Sequence, residues 1–270
     1  MPRHSSIVYE HMPTSKKRFQ ISLELIENKQ LNHQYVLLVL KGQDKLPQML
    51  PGQFVQVLVE DSPTTYLRRP ISINFVDTEK NTLWLLVQIV GDGTRTLAKL
   101  QPGSFVNLLL PLGNHFDYCE TDQNILLIGG GVGVAPLLMF GRQMHQMKKH
   151  VTFLLGARSA NDLLELELFQ QFGTVYTTTE DGTHGEKGYV TQHSILKTPD
   201  FDRIATCGPK AMMKAVAAYA KENQIECEVS LENTMACGIG ACLCCVEDTV
   251  DGHVCTCTEG PVFNLKKLKW

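Results

Sequence analysis

Long hydrophobic runs are missing from this 270-residue chain. Its most apolar stretch, 125–140, is interrupted by Gly129, Gly130, Gly131, Gly133 and Pro136. That is too short and too broken to cross a bilayer, and it fits a buried strand, a tight turn and a helix. An excess of basic charge is missing too. Lys and Arg number 25 against 28 Asp and Glu, a net −3, which argues against nucleic acid as the main partner. Residues 1–19 carry charges and histidine but no apolar segment of the kind that marks a secretory signal. The expectation is a mobile tail over 1–17 leading into the first strand of a cytoplasmic protein. Without an export signal, a disulfide framework is not expected either. No internal repeat or low-complexity tract is present. A length of 270 residues exceeds one small core and suits two domains with an appendage.

Residues 20–112 read as short strands. Apolar or alternating runs lie at 21–26, 35–40, 54–59, 71–75, 83–90 and 105–110, punctuated by Gly42, Pro51–Gly52 and Pro102–Gly103, with one helix at 94–100. This spacing predicts a closed antiparallel barrel. The pattern changes near Asn114. Strand-like runs at 124–128, 151–155, 175–179, 203–207 and 226–230 alternate with helical spacing at 136–149, 163–172 and 211–223. Alternation of this kind implies a parallel sheet covered on both faces. Beyond Glu232 the periodicity dissolves into Cys- and Gly-rich chain. The expected organisation is a tail (1–17), a barrel (18–115), an α/β domain (116–230) and a small C-terminal subdomain (231–270).

Six of the nine cysteines fall in that last stretch. Cys237, Cys242 and Cys245 have the spacing C-x4-C-x2-C, which, followed by a distant fourth cysteine, is the plant-type [2Fe–2S] pattern. Thiolates are soft ligands suited to such clusters. Gly238 and Gly240 let the loop wrap closely and turn its N–H groups toward sulfur. The spacing leaves the fourth ligand open between Cys255 and Cys257, with Cys244 unassigned. A four-thiolate zinc site in a nucleotide-binding module without redox role is the competing reading; zinc ribbons, however, usually show two C-x2-C-type pairs. None of the histidines pairs with cysteine at Rieske spacing, so His115, His184, His193 and His253 read as surface or packing residues.

Elsewhere, Gly129, Gly130, Gly131 and Gly133 join a strand to a helix that begins near Pro136. Small residues let backbone N–H groups approach a phosphate at a helix N-terminus, although strict G-x-G-x-x-G spacing is not met. Arg69 and Ser72, in Arg69-Pro70-Ile71-Ser72, could grip a diphosphate through charge-assisted hydrogen bonds. Gly93–Thr94 opens a helix. Cys207-Gly208-Pro209 follows a strand end, where open α/β sheets place ligands. Arg158–Ser159 could meet a 2′-phosphate, and Thr179–Gly182 is a polar turn near the same strand ends.

Taken in this order, the motifs resemble the ferredoxin–NADP reductase superfamily. With the cysteine pattern and the stretch 257–263, they resemble in particular the electron-transfer subunits of NAD-linked, two-subunit dihydroorotate dehydrogenases, over residues 18–265. The resemblance implies an antiparallel FAD-binding β-barrel, a parallel-sheet NAD-binding domain and a [2Fe–2S] subdomain. It implies FAD contacts at Arg69, Pro70, Ile71, Ser72, Gly93 and Thr94, with Leu86, Val87 and Gln88 bordering the flavin by their backbone. It implies NAD near Gly129, Gly130, Gly131, Gly133, Cys207, Gly208 and Pro209. Because the family's last cluster cysteine opens a C-x-x-G-P-V-F stretch, it implies Cys257 as fourth ligand beside Cys237, Cys242 and Cys245. A nicotinamide exchanges two electrons as hydride and the cluster one at a time, and a flavin converts between them. The implied partner is an FMN-containing catalytic subunit, two copies of each forming a heterotetramer. That partner would oxidise dihydroorotate in pyrimidine biosynthesis, so no dihydroorotate base is expected in this chain. A small subunit of a sulfide dehydrogenase-like or transhydrogenase-type enzyme would carry the same motifs. The longer N-terminal tail, Cys244 and Cys255 depart from the family pattern.

Overall fold

Strands β1 (Phe19–Asn32), β2 (Tyr35–Lys41), β3 (Phe54–Val57), β4 (Arg69–Asp77), β5 (Thr82–Gln88) and β6 (Phe105–Leu112) pair antiparallel in the order β1-β2-β5-β4-β3-β6, and β6 returns to β1 to close a barrel. The computed structural model describes residues 17–198 and 200–270, so the expected tail, apart from Lys17, lies outside the described residues. Alternation explains the barrel interior: Val106, Leu108 and Leu110 of β6 join its core, as period-2 pleating requires, whereas Leu112, beyond a shift in register with β3, packs with Phe54 instead. β2 is a continuous apolar run because both its faces are covered. Val36, Leu38 and Leu40 point into the barrel, whereas Tyr35, Leu37 and Val39 join the core of the second unit. Helix α1 (Asp92–Leu97) plugs one end of the barrel with Leu97.

The second unit is a seven-stranded sheet in the order β10-β9-β8-β7-β11-β12-β15. Its parallel strands are β7 (Asn124–Gly130), β8 (His150–Ala157), β9 (Thr174–Thr179), β10 (Glu186–Lys187), β11 (Arg203–Cys207) and β12 (Glu226–Ser230). Helices α2 (Ala135–Gln146) and α3 (Leu166–Gln170) pack in one core with Phe140, Phe153 and Phe169, and α4 (Lys210–Glu222) packs in another with Met213 and Val216. Each such fully buried side chain contributes about 1.5–3 kcal/mol.

Two expectations change. The helix expected over 163–172 is reduced to α3, because Glu165 adopts a left-handed conformation (φ 55°) and turns its carboxylate to Asn74 of β4. Residues beyond 232, which carry no periodicity, form a hairpin of β13 (Val246–Thr249) and β14 (Gly252–Cys255), a turn of helix α5 (Thr256–Glu259), and β15 (Val262–Asn264). β15 pairs antiparallel with β12 through Glu228, Val229 and Ser230, so the sheet is parallel except at this edge, which the cysteine-rich segment supplies. Among the described residues no helix is long and apolar enough to cross a membrane.

Candidate functional site

The Arg-Pro-Ile-Ser motif starts β4, in register with β3: Arg69 faces Val57, Pro70 faces Gln56, Ile71 faces Val55 and Ser72 faces Phe54. Ile71 packs against the barrel core, and by strand alternation Pro70 and Ser72 lie on the outer face. The two arginines differ. Arg68 is tied to the barrel, donating to the Gln56 carbonyl (3.2 Å) and to Asn107 Oδ1 (2.6 Å). Arg69 donates to Leu67 O (2.8 Å), and its guanidinium lies beside Gly93, where an added Cβ would sit 3.0 Å from Nε. The Thr94 hydroxyl serves its own turn: it accepts from the N–H groups of Val90 (2.9 Å) and Gly91 (3.1 Å). What α1 offers a diphosphate is therefore first-turn backbone N–H groups, which have no intrahelical acceptor, next to a guanidinium. On β5, Leu86 is buried toward the second unit and Val87 inside the barrel. Their side chains are committed and only backbone remains for a ligand. Gln88 donates to Tyr35 Oη (3.2 Å).

A cleft of about 800 Å³ opens at the carboxyl ends of the parallel strands, lined among others by Tyr35, Gln88, Gly131, Arg158, Glu180 and Gly208. This is where open α/β sheets bind ligands. Gln88, from the expected flavin strand, and the glycine loop share it. Gly130, Gly131 and Gly133 line the cleft, whereas Gly129 is interior to β7, between Cys207 and Leu155. A Cβ on Gly133 would meet Gly208 Cα and N at 2.5 Å, so the loop after β7 and the loop after β11 are pressed backbone to backbone. Gly208 and Pro209 reach the cleft, but Cys207 is fully buried. Burial, reinforced by Glu232, raises its thiol well above the usual range and keeps it protonated. The Ser159 hydroxyl donates to Asp162 Oδ2 (2.9 Å), and Asp162 lines the cleft beside Arg158. The structure adds Tyr35, Asp162, Lys210 and Asn233 to the lining. No motif marks them, because they come from four separate segments.

The cysteine segment folds against the outer face of β3. Cys245 and Cys257 are buried in one small apolar cluster with Phe54 and Leu112. Cys237 is half-buried, and Cys242 and Cys244 are exposed. The sulfurs meet in two pairs, Cys237 with Cys242 and Cys245 with Cys257. The turn between them aims its N–H groups inward: Ile239 and Ala241 donate to Cys237 Sγ (3.4 and 3.3 Å), and Gly240 donates to Cys257 Sγ (3.1 Å). Against a burial effect that raises it, these donors and Cys242 lower the Cys237 thiol. Burial and the facing Cys245 raise that of Cys257. Cys255, on β14, also meets Cys245. Among the described residues no three His, Cys, Asp or Glu side chains converge as on a single ion. Thiols gathered under inward-pointing N–H groups suit an iron–sulfur cluster, whose sulfurs accept such hydrogen bonds.

The chain matches the oxidoreductase FAD-binding domain over residues 22–118 and the oxidoreductase NAD-binding domain over 127–218. It matches the iron–sulfur cluster binding domain of dihydroorotate dehydrogenase B over 232–269. The dihydroorotate dehydrogenase B (NAD(+)) electron transfer subunit of Bacillus mycoides (strain KBAB4) is 40% identical, covering 90% of this chain and 96% of its own length. That of Shouchella clausii (strain KSM-K16) is 36% identical, covering 93% and 99%. The solved structure of an NADH-dependent reduced ferredoxin–NADP oxidoreductase, studied for flavin-based electron bifurcation, superposes with a TM-score of 0.84 at 26% identity, covering 92% of this chain and 90% of that one. The ferredoxin reductase in carbazole 1,9a-dioxygenase shares the fold (TM-score 0.68, 21% identity, covering 78% and 68%). On these grounds, with FAD, NAD and iron–sulfur binding domains in one oxidoreductase chain, the protein belongs to the family of dihydroorotate dehydrogenase B electron transfer subunits.

Proposed function

We propose that this chain accepts electrons from an FMN-containing dihydroorotate dehydrogenase catalytic subunit and delivers them to NAD+, in a cytoplasmic heterotetramer with two copies of each subunit serving pyrimidine biosynthesis. Cys237, Cys242, Cys245 and Cys257 would hold the [2Fe–2S] cluster. Arg69 and the N–H groups at Gly93 and Thr94 would hold the FAD diphosphate, with Pro70, Ile71 and Ser72 positioning that end of β4 and the backbone of Leu86, Val87 and Gln88 bordering the flavin. Bound there, FAD supplies exchange between hydride and single electrons. Gly130, Gly131, Gly133, Gly208 and Pro209 would cradle NAD. Gly129 and Cys207 would hold the two loops in contact from beneath, without touching it.

The observation that carries this reading is the position of β3 and β4. The outer face of β3, with the end of β6, supports the cysteine segment, and β4, paired with β3, opens with the flavin motif. The neighbouring β5 ends at Gln88 in the cleft shared with the glycine loop. The adjacent strands β3, β4 and β5 thus carry, in turn, the support for the cysteines, the flavin motif and one wall of the nicotinamide cleft, which supports this reading. NAD rather than NADP follows the relatives, which are named for NAD(+); Asp162 in the cleft would accept a ribose hydroxyl.

The test is purification with the native partner, followed by a visible spectrum, iron, zinc and labile-sulfide analysis, and an assay of dihydroorotate-dependent NAD+ reduction. NADH formation with a flavin and iron–sulfur spectrum is expected. NADH arising from another donor while dihydroorotate does nothing would overturn the pyrimidine assignment. A colourless, zinc-loaded protein would overturn the electron-transfer role.

A further inference from the structure

Gln56 is the side chain that neither the fold nor the proposed cofactor contacts account for. It lies on β3 and is completely buried, and both its amide atoms, Oε1 and Nε2, lack a hydrogen-bond partner. A buried side-chain amide carries two N–H donors and a carbonyl acceptor, and folded proteins seldom leave these unpaired. Leucine or methionine would fill the same volume without that cost.

Its surroundings indicate what the amide faces. Val55 and Val57 point into the barrel core, so Phe54 and Gln56 point outward. Phe54 on that face packs with Cys245 and Cys257, and Leu109, opposite Gln56 in the register, borders the same cluster. Pro70 of the flavin motif is its neighbour on the other side. The amide lies against Gly238: a Cβ there would come within 2.7 Å of Gln56 Cγ and 2.9 Å of Nε2. Gly238, with φ +71°, thus has two reasons to be glycine, its conformation and the room that Gln56 occupies. The next three residues all aim N–H groups at sulfur, at Cys237 or Cys257. Gln56 brings a side-chain donor to the same turn from the barrel.

We propose that Gln56 is a positioning residue whose amide N–H hydrogen-bonds a sulfur of the bound cluster, on the Cys237 side, and raises its reduction potential relative to the flavin. The acceptor is sulfur because the amide is wedged against the loop that wraps the cluster and finds no carbonyl within reach there. A reduced cluster carries one more negative charge, so an N–H donor at its sulfur stabilises the reduced form more than the oxidised one. This inference rests on the assignment of the cluster to Cys237, Cys242, Cys245 and Cys257.

The experiment uses the holoenzyme complex. In an EPR-monitored redox titration, Gln56→Met should shift the one-electron equilibrium between cluster and flavin about tenfold toward the flavin, about 59 mV for a one-electron couple, with iron content and the flavin midpoint unchanged. A cluster midpoint equal to that of the unmutated protein, or a shift confined to the flavin, overturns the proposal. Should the variant fail to load a cluster, the unmutated protein decides. With ¹⁵N in the glutamine side-chain amides, the reduced cluster should show a ¹⁵N hyperfine coupling, and absence of that coupling overturns it. If the unmutated complex lacks a [2Fe–2S] signal altogether, it is the cluster assignment that fails, not the role of Gln56 alone.

Discussion

Two thiols compete for one role beside Cys245. Cys255 and Cys257 both reach it, but Cys257 is buried and accepts the Gly240 N–H, whereas Cys255 is half-buried on β14. A ligand held by the wrapping loop is preorganised for the cluster, and one outside it is not. Cys257→Ser should therefore remove the iron–sulfur signal and most of the iron. Cys255→Ser should retain both, as read by EPR and by iron and labile-sulfide content; the opposite result would exchange the two assignments. Gly133 is a second position where one atom decides. An added methyl would sit 2.5 Å from the Gly208 backbone, and backbone cannot rotate away as a side-chain tip can. Gly133→Ala should cost about 1–3 kcal/mol by overpacking and slow NADH-dependent flavin reduction, checked by denaturant unfolding and stopped-flow absorbance. The cysteine spacing and the glycine run were legible in the sequence because each is a short-range pattern with its own chemistry. Gln56, Tyr35 and Asp162 were not, since each is one ordinary residue whose meaning comes from distant neighbours.

Among the elements, legibility followed burial on two sides. β2 and β5 read as strands because their apolar runs serve both the barrel and the second unit, and β11 and β12 read to the residue, β12 through its alternation Glu226-Cys227-Glu228-Val229. β15 was unreadable: three residues cannot express a period, and its place is fixed by bonds from far away. Asn114, just after the barrel, makes those bonds. It donates to Glu259 O (2.8 Å) and Val262 O (2.7 Å) and accepts from Val262 N (3.0 Å). One side chain thus clasps the exit of the barrel to the end of the cysteine segment. At about 0.5–1.5 kcal/mol for each hydrogen bond, Asn114→Ala should destabilise the protein by roughly 2–3 kcal/mol. It should also speed loss of the cluster on dilution, followed by the fading visible absorbance. Unchanged cluster retention with unchanged unfolding would mean that the pairing of β15 with β12 holds the segment unaided.

At the scale of the molecule, the barrel and the α/β unit meet along β4, α2 and α3. Arg142 donates to Val76 O (3.1 Å) and lies over the Phe75 ring, which stacks on Phe172. In the same seam, Asn74 donates to both oxygens of Glu165 (3.0 and 3.1 Å). Burial raises the Glu165 carboxyl from 4.5 to about 7, against the opposing effects of Asn74 and Lys29. A carboxyl raised in the folded state keeps a proton that the unfolded chain has released, so its contribution to stability falls as pH rises from about 4.5 to about 7 and is level above that. The same residue forced the left-handed turn that shortened α3, which is why the helix expected from the leucine spacing did not extend: the seam overrode local periodicity. Glu165→Gln keeps the shape and an oxygen for Asn74 but cannot ionise. Its stability relative to the unmutated protein should improve by roughly 1–2 kcal/mol between pH 5 and pH 8, measured as the difference in unfolding midpoints across that range. A difference that stays flat, or that moves toward the unmutated protein as pH rises, would show that the carboxylate is already ionised in the seam at pH 5 and that the two units are joined without its proton.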